Sequence, residues 1–225
     1  AQQSQQQERQ RVDGAHAPGQ VPLHLDDIEA AYYTGNCHKW MFAPKGAAFL
    51  YAREDLRTSL RPLVISHGAN TPVGSSSRLH LEFDWTGTAD FTPLLALPAA
   101  IEFGASLFEG GFSMLMEQNR RLALTAKVLL EERLAVTNVV PEEFVGSMAA
   151  VCLPDGDGVR EPGSRALDPL QDSLWSEFGI EVPIVPFPAW PQRLVRVSAQ
   201  AYNGVTEYQR LADALASLIG VPASA

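Results

Sequence analysis

Cysteine is scarce in this chain, with only Cys37 and Cys152 among 225 residues. Two thiols cannot build a disulfide framework, and no metal-ligand spacing surrounds them, so no metal site is expected. That usage suits a reducing compartment, and the expectation is cytoplasmic, with an organelle possible if an upstream targeting segment exists. Cys152 falls in the apolar segment 148–153, where a buried core position is expected. No apolar run approaches the roughly twenty residues that span a bilayer, and the glutamine-rich start has no apolar signal region, so no membrane partner is expected. A basic cluster is also missing. With a net charge of -9, nucleic acid is not an expected partner. Scarcest of the common charged residues is lysine: Lys39, Lys45 and Lys127 stand against fourteen arginines.

What is present is a globular composition, 46% hydrophobic and 19% charged, enough for a sizeable core in one or two domains. Residues 1–11 form a glutamine-rich, low-complexity head that cannot bury apolar surface, and disorder is expected there. An extended connection at 21–25 and a helical turn at 26–30 lead to a strand at 31–34; a second strand at 47–52, apolar throughout, reads as buried. A short helix is expected at 54–60. Residues 61–92 have weak periodicity and many Gly, Ser and His residues, which suggests a functional or subunit-contact loop, since loops beyond about 15 residues are uncommon otherwise.

Thr92-Pro93 reads as a capping hydroxyl followed by proline in the first turn, opening a helix to about residue 105. After the Gly110-Gly111 break, the spacing predicts a long helix over 113–134, with Leu115, Leu122, Ala126, Leu129 and Leu130 on one side and Lys127 on the charged side. Strands follow at 148–153, 181–185 and 194–198. Asp168-Pro169 opens a helix that ends at Phe178-Gly179, and Thr206 with Gln209 suggests a capping box for the last helix. The alternation indicates an α/β or α+β layer.

Lys39 lies between His38 and Trp40, at the turn between the first two strand-like segments. Loss of solvation there would disfavour the ammonium form and make the amine a nucleophile able to form a Schiff base. A surface loop lysine is the plainer account of the same residue.

Residues 12–20 (VDGAHAPGQ), with 36–40 (NCHKW) and 44–46 (PKG), resemble the class V aminotransferase group of pyridoxal-phosphate enzymes, within it the relatives of isopenicillin N epimerase. The resemblance continues through 85–90 and 97–101 and ends at 196–203. It implies an α/β fold of type I: the C-terminal part of the cofactor-binding large domain at 12–112 and a small α+β C-terminal domain at 113–225. It also implies pyridoxal 5'-phosphate as cofactor, a small amino-acid substrate and a homodimer. Lys39 matches the Schiff-base lysine and Asp13 the carboxylate beside the ring nitrogen. His16 matches the residue at the phenolic oxygen, and Asn36 and His38 match donors to the phosphate. Thr88 matches a hydroxyl that reaches the phosphate of the other subunit, and Arg196 the arginine that pairs with the substrate carboxylate.

Each match has a plainer reading: a turn aspartate before Gly14, loop histidines, a turn asparagine, a helix-entry threonine, a structural ion pair. The implied reaction is loss of the substrate α-proton, followed by epimerisation, β-elimination or transamination. A persulfide mechanism is disfavoured, because neither Cys37 nor Cys152 lies in a mobile loop, whereas cysteine desulfhydration remains open. The chain departs from the family in two ways: the glutamine head stands where an apolar strand is expected before Asp13, and the phosphate-cradling Ser/Thr-Gly turn of the family's first half is absent. A cofactor-free dimerisation or interaction module is therefore the other reading.

Overall fold

The computed structural model describes residues 10–137, 140–158 and 167–222. The chain divides into two compact units, Ala1–Ser106 and Leu107–Ala225.

The first unit is built on a three-stranded sheet in the order β1 (Arg11–Asp13), β2 (Tyr32–Asn36), β3 (Ala48–Ala52). β1 runs parallel to β2, with Asp13 opposite Thr34, and β3 is antiparallel to β2. The sequence pattern offers no strand before Asp13, yet Arg11 opposes Tyr32 and the Gln10 carbonyl accepts the Tyr32 N–H at 3.2 Å. Backbone groups enter a ladder whatever their side chains are, and the Arg11 guanidinium finds a place 5.9 Å from the centre of the Tyr32 ring. The rest of the expected disordered head, residues 1–9, lies outside the described residues.

Between β1 and β2 lies a single helical turn, α1 (Leu25–Ile28), closed by Glu29 in the left-handed region. Another single turn, α2 (Cys37–Trp40), follows β2 directly. β3 departs from the buried strand expected of its apolar run. It is an edge strand with Leu50 47% exposed, and the buried apolar cluster near it consists of only Cys37, Ala43, Ala47 and Ala100. After a 3-10 turn at Glu54–Ser59 comes the segment without sequence periodicity, which contains a second 3-10 turn, His67–Ala69, and a short helix, α3 (Arg78–Phe83). Polar bonds organise it. Glu82, buried, faces Arg61 and Arg78 at 3.7 Å each, and Arg78 Nη1 donates to the Gly68 carbonyl at 2.6 Å.

The unit ends in α4 (Thr92–Leu95) and α5 (Leu97–Ser106). Thr92 is not the cap here. Asp90 Oδ1 accepts the Thr92 N–H at 2.9 Å, and these bonds to Thr92 hold the Asp90 carboxyl below its ordinary value. An Asx turn competes well with a hydroxyl cap two residues on.

The second unit is a two-layer α+β arrangement. A sheet ordered β4 (Met148–Leu153), β6 (Arg193–Ser198), β5 (Ile184–Pro186) is antiparallel throughout. Period-2 burial turns Ala149, Val151, Leu153, Val195 and Val197 to one face, where α6 (Gly111–Leu134), α7 (Pro169–Phe178) and α8 (Val205–Leu218) supply Leu130, Leu174, Leu211 and Leu215. Each fully buried leucine contributes roughly 1.5–3 kcal/mol by leaving water. The alternation puts Cys152 on the opposite face, exposed rather than in the core.

Lys127 is likewise not on a solvent face: it is buried in α6 and pairs with Glu131 at 2.9 Å, one turn on. Asp168 caps α7 through its Oδ1, which accepts the Leu170 N–H at 2.9 Å, and Gly179 closes that helix in the left-handed region. The cap of α8 is Gly204 with Glu207, not Thr206 with Gln209. Glu207 Oε2 accepts the Gly204 N–H at 2.7 Å, and the Gly204 carbonyl accepts the Glu207 N–H at 3.2 Å.

Candidate active site

β1 and β2 are parallel, so their carboxyl ends open onto the same sheet edge, the usual place for ligands in such sheets. Asp13 ends β1 and Asn36 ends β2, and the Lys39 turn follows at once. The segment that leaves β1 returns to pack on that turn. Its glycines show how closely: a Cβ on Gly19 would lie 2.5 Å from the Trp40 carbonyl oxygen, and one on Gly35 would lie 2.8 Å from Pro18 Cγ. Under Gly14 sits the buried Tyr33 ring, its hydroxyl 1.8 Å from where a Cβ would be. Only glycine fits that contact. Burial, and after it the Asp13 carboxylate, push the Tyr33 hydroxyl above its ordinary value. Tyr33 in turn stacks on Phe49, with ring centres 6.1 Å apart.

Asp13 Oδ1 accepts the Ala15 N–H at 3.0 Å, which fixes the carboxylate at the strand end while leaving the side chain exposed. His16 receives the Trp40 indole N–H at Nδ1 over 3.3 Å. The Ala47 carbonyl accepts from the Cys37 and His38 N–H groups and from His38 Nδ1 at 2.9 Å. A carbonyl only accepts, so His38 carries a hydrogen on Nδ1, and donation from its Nε2 requires the imidazolium. Asn36 is the N-cap residue of α2 but makes no side-chain cap bond.

Lys39 is exposed, against the expectation that its setting strips it of water. In the single turn of α2, positions i and i+3 share a face, and that buried face holds Cys37 and Trp40. Lys39 points elsewhere. Burial raises the Cys37 thiol above its ordinary value, and the residue serves packing. Thr88 is exposed in the bends ahead of α4, between Trp85 and Phe91, whose rings stack at 5.3 Å.

Asp13, His16, Asn36, His38 and Lys39 thus gather on one edge of the first sheet, and Thr88 belongs to the same unit. An exposed amine, a fixed carboxylate and several hydrogen-bonding groups can together receive an aldehyde that carries a basic ring and an anion.

Arg196 belongs to the second unit. It lies on the exposed face of β6 opposite Ala150, in no ion pair among the described residues. It lines a cavity of about 340 Å³ together with Ser198, Asn203, Glu207 and Arg210. The arginine of β6 that does have a partner is the half-buried Arg193, held by Asp168 at 2.8 Å and by the Pro154 carbonyl at 2.9 Å. An exposed face removes the need for a partner that an arginine in an apolar strand suggested.

Sequence reasoning gave Tyr33 no role, nor Trp40 a hydrogen-bonding one. Gly14 and Gly19 beside Asp13 and His16 were the available signals, since paired glycines at a strand end mark close approach of other atoms.

A solved cysteine desulfurase from Thermococcus onnurineus NA1 superposes with a TM-score of 0.69 at 19% identity, over 93% of this chain and 52% of that one. Alanine–glyoxylate aminotransferase from Nostoc sp. gives 0.64 at 17%, over 93% and 53%. The fold is therefore that of the fold-type-I pyridoxal-phosphate enzymes, represented over about half the length of those chains. The aminotransferase class-V family model matches residues 5–158, and the chain belongs to that family.

Isopenicillin N epimerase of Amycolatopsis lactamdurans is 36% identical over 219 residues, 92% of this chain and 52% of that protein. Putative L-cysteine desulfhydrase 1 of Oryza sativa is 32% identical over 224 residues, 92% and 45%. The chain spans about half the length of the curated relatives it matches. Among the described residues no single helix is long and apolar enough to cross a membrane.

Proposed function

We propose that this chain carries the lysine-bearing portion of a pyridoxal-phosphate enzyme of amino-acid metabolism, similar to isopenicillin N epimerase, that acts at the α-carbon of a small amino acid. The observation that supports it most is the single sheet edge shared by Asp13, His16 and the Asn36–Lys39 turn. The donor set fits the group: an exposed primary amine suits its aldehyde and a carboxylate its basic ring nitrogen. When bound, pyridoxal phosphate supplies an electron-withdrawing ring that acidifies the α-hydrogen of an attached amino acid.

The rest falls to the chain's own side chains. Lys39 Nζ would be the covalent anchor for the aldehyde and, as a free amine, the base for the α-proton. The Asp13 carboxylate, set by the Ala15 N–H, keeps a proton at the ring nitrogen. His16 faces the phenolic oxygen. Asn36 and His38 hold the phosphate, with Thr88 serving the site of a second copy in a homodimer. Arg196 offers a planar fork for the substrate carboxylate.

Cysteine desulfhydration is the second reading, favoured by the rice relative, and it needs no thiol on the enzyme. A non-catalytic dimerisation or interaction module is the third. Absorbance of the full chain with added pyridoxal phosphate, before and after borohydride, separates the enzyme readings from the third. A visible band that borohydride bleaches, absent in Lys39→Ala, supports the proposal; identical spectra for both proteins overturn it. With the band in hand, inversion of an α-carbon against release of sulfide from L-cysteine distinguishes the first two.

A further inference from the structure

An indole N–H can only donate, so the 3.3 Å contact from Trp40 Nε1 to His16 Nδ1 fixes the hydrogen inventory of the histidine. Nδ1 is the acceptor, and in the neutral ring the hydrogen sits on Nε2. The other tautomer would set two N–H groups head to head. The contact is not a chance meeting of surface groups: Trp40 is only 8% exposed, and its backbone carbonyl lies against the bare Cα of Gly19. The His16 backbone is tied down as well, through the Gln20 Nε2 bond to its carbonyl at 2.8 Å. Trp40 also directly follows Lys39 in the chain, so the residue that sets His16 and the residue that anchors the cofactor share one turn.

We infer that Trp40 is a positioning residue: its indole N–H holds His16 as an Nε2–H donor and fixes the orientation of the ring toward the oxygen beside the cofactor's aldehyde carbon. This rests on the reading of the site given above. A phenylalanine at position 40 keeps most of the packing and removes the donor. A second bond that fixes the ring nitrogen opposite the functional one is the same device that orients metal-bound histidines.

The test is long-range ¹⁵N–¹H spectroscopy of the histidine rings in the full chain at mildly alkaline pH, without and with added pyridoxal phosphate. In the unaltered chain His16 is expected as one tautomer, hydrogen on Nε2, with its Nδ1 resonance displaced as for a hydrogen-bond acceptor. In Trp40→Phe the signal becomes that of a tautomer mixture, and Nδ1 moves to the position of an unbonded ring nitrogen. Pyridoxal phosphate displaces the His16 Nε2 resonance in the unaltered chain and displaces it less in Trp40→Phe. An Nδ1–H tautomer in the unaltered chain, or ring signals unchanged by Trp40→Phe, overturns the inference.

Should Trp40→Phe not fold, the Trp40 indole N–H resonance in His16→Phe decides: an upfield shift with faster solvent exchange supports the contact, and an unmoved resonance refutes it. If the cofactor displaces no His16 signal while Lys39 is still trapped, His16 does not face the cofactor and the inference fails alone. If Lys39 is not trapped either, the functional reading fails, and the cofactor-free spectra still judge the Trp40 contact.

Discussion

The two units stabilise themselves differently. In the second, two long helices and α7 cover one face of the β4-β6-β5 sheet, and the named core holds Leu130, Leu174, Val151, Val195 and Leu215, all fully buried. In the first, the sheet carries the candidate site residues, its buried apolar cluster among the described residues is Cys37, Ala43, Ala47 and Ala100, and Leu95 of α4 stands 79% exposed. Most of the candidate site residues therefore belong to the unit with the smaller buried core, and Arg196 alone belongs to the other.

The sharpest way to test this contrast is to break an ion pair in each unit. Arg193→Leu leaves the fully buried Asp168 carboxylate without its cation, and a loss of about 3–5 kcal/mol is expected from chemical denaturation. Asp55→Asn removes the exposed partner of Arg53, and no measurable loss is expected. Similar losses from both would erase the distinction.

Apolar truncation comes next. Leu215→Ala is expected to cost about 2–5 kcal/mol, read by hydrogen exchange of α8 amides, whereas Leu95→Ala should stay within about 0.5 kcal/mol. A Leu95→Ala loss as large as that of Leu215→Ala would mean that α4 is covered in solution, and sedimentation of the chain would then be expected to show the homodimer.

Gly14→Ala probes the first unit where it is tight. Its methyl meets the Tyr33 hydroxyl, and a loss of about 1–3 kcal/mol is expected in thermal melts of the first unit's signals, with the second unit's amide protection unchanged. A neutral Gly14→Ala would show that Tyr33 is free to move away.

The smallest effect concerns Tyr208 of α8, whose hydroxyl donates to the Ser198 carbonyl at 2.8 Å. Burial, then Glu207 and Tyr202, push it from its ordinary value of 10.0 up to about 12. The protonated form is thus favoured on folding, so its stabilisation is fully present below pH 10.0 and is lost as pH rises toward about 12. Tyr208→Phe is expected to lower stability by about 1 kcal/mol at neutral pH and to flatten the alkaline limb of the denaturation profile. An unchanged alkaline limb would contradict the assignment.

Much of the second unit was legible because helix period, strand alternation and the Asp168-Pro169 start all express local rules. Lys127 escaped them: nothing local says that a lysine in a charged pattern will be buried with Glu131. Cys152 escaped because a six-residue apolar run does not tell a half-buried strand from a fully buried one. In the first unit the motifs named the candidate residues, and the turn that bears Lys39 was readable. The short strand β1 and the helix α3 were not, since backbone pairing to Tyr32 and the Arg61–Glu82–Arg78 bonds define them rather than any apolar period. The exposure of Lys39 was hidden because a four-residue turn has no room to display periodicity.

The three lysines permit the most direct test of the central claim. Lys39 and Lys45 are both exposed and Lys127 is buried, so exposure alone would label the first two alike. Peptide mass spectrometry after incubation with substoichiometric pyridoxal phosphate and borohydride reads the outcome site by site. The pyridoxyl group is expected on Lys39, with Lys45 nearly unlabelled. Equal labelling of Lys39 and Lys45 would mean that the sheet edge confers no selectivity, and the proposed site would be contradicted.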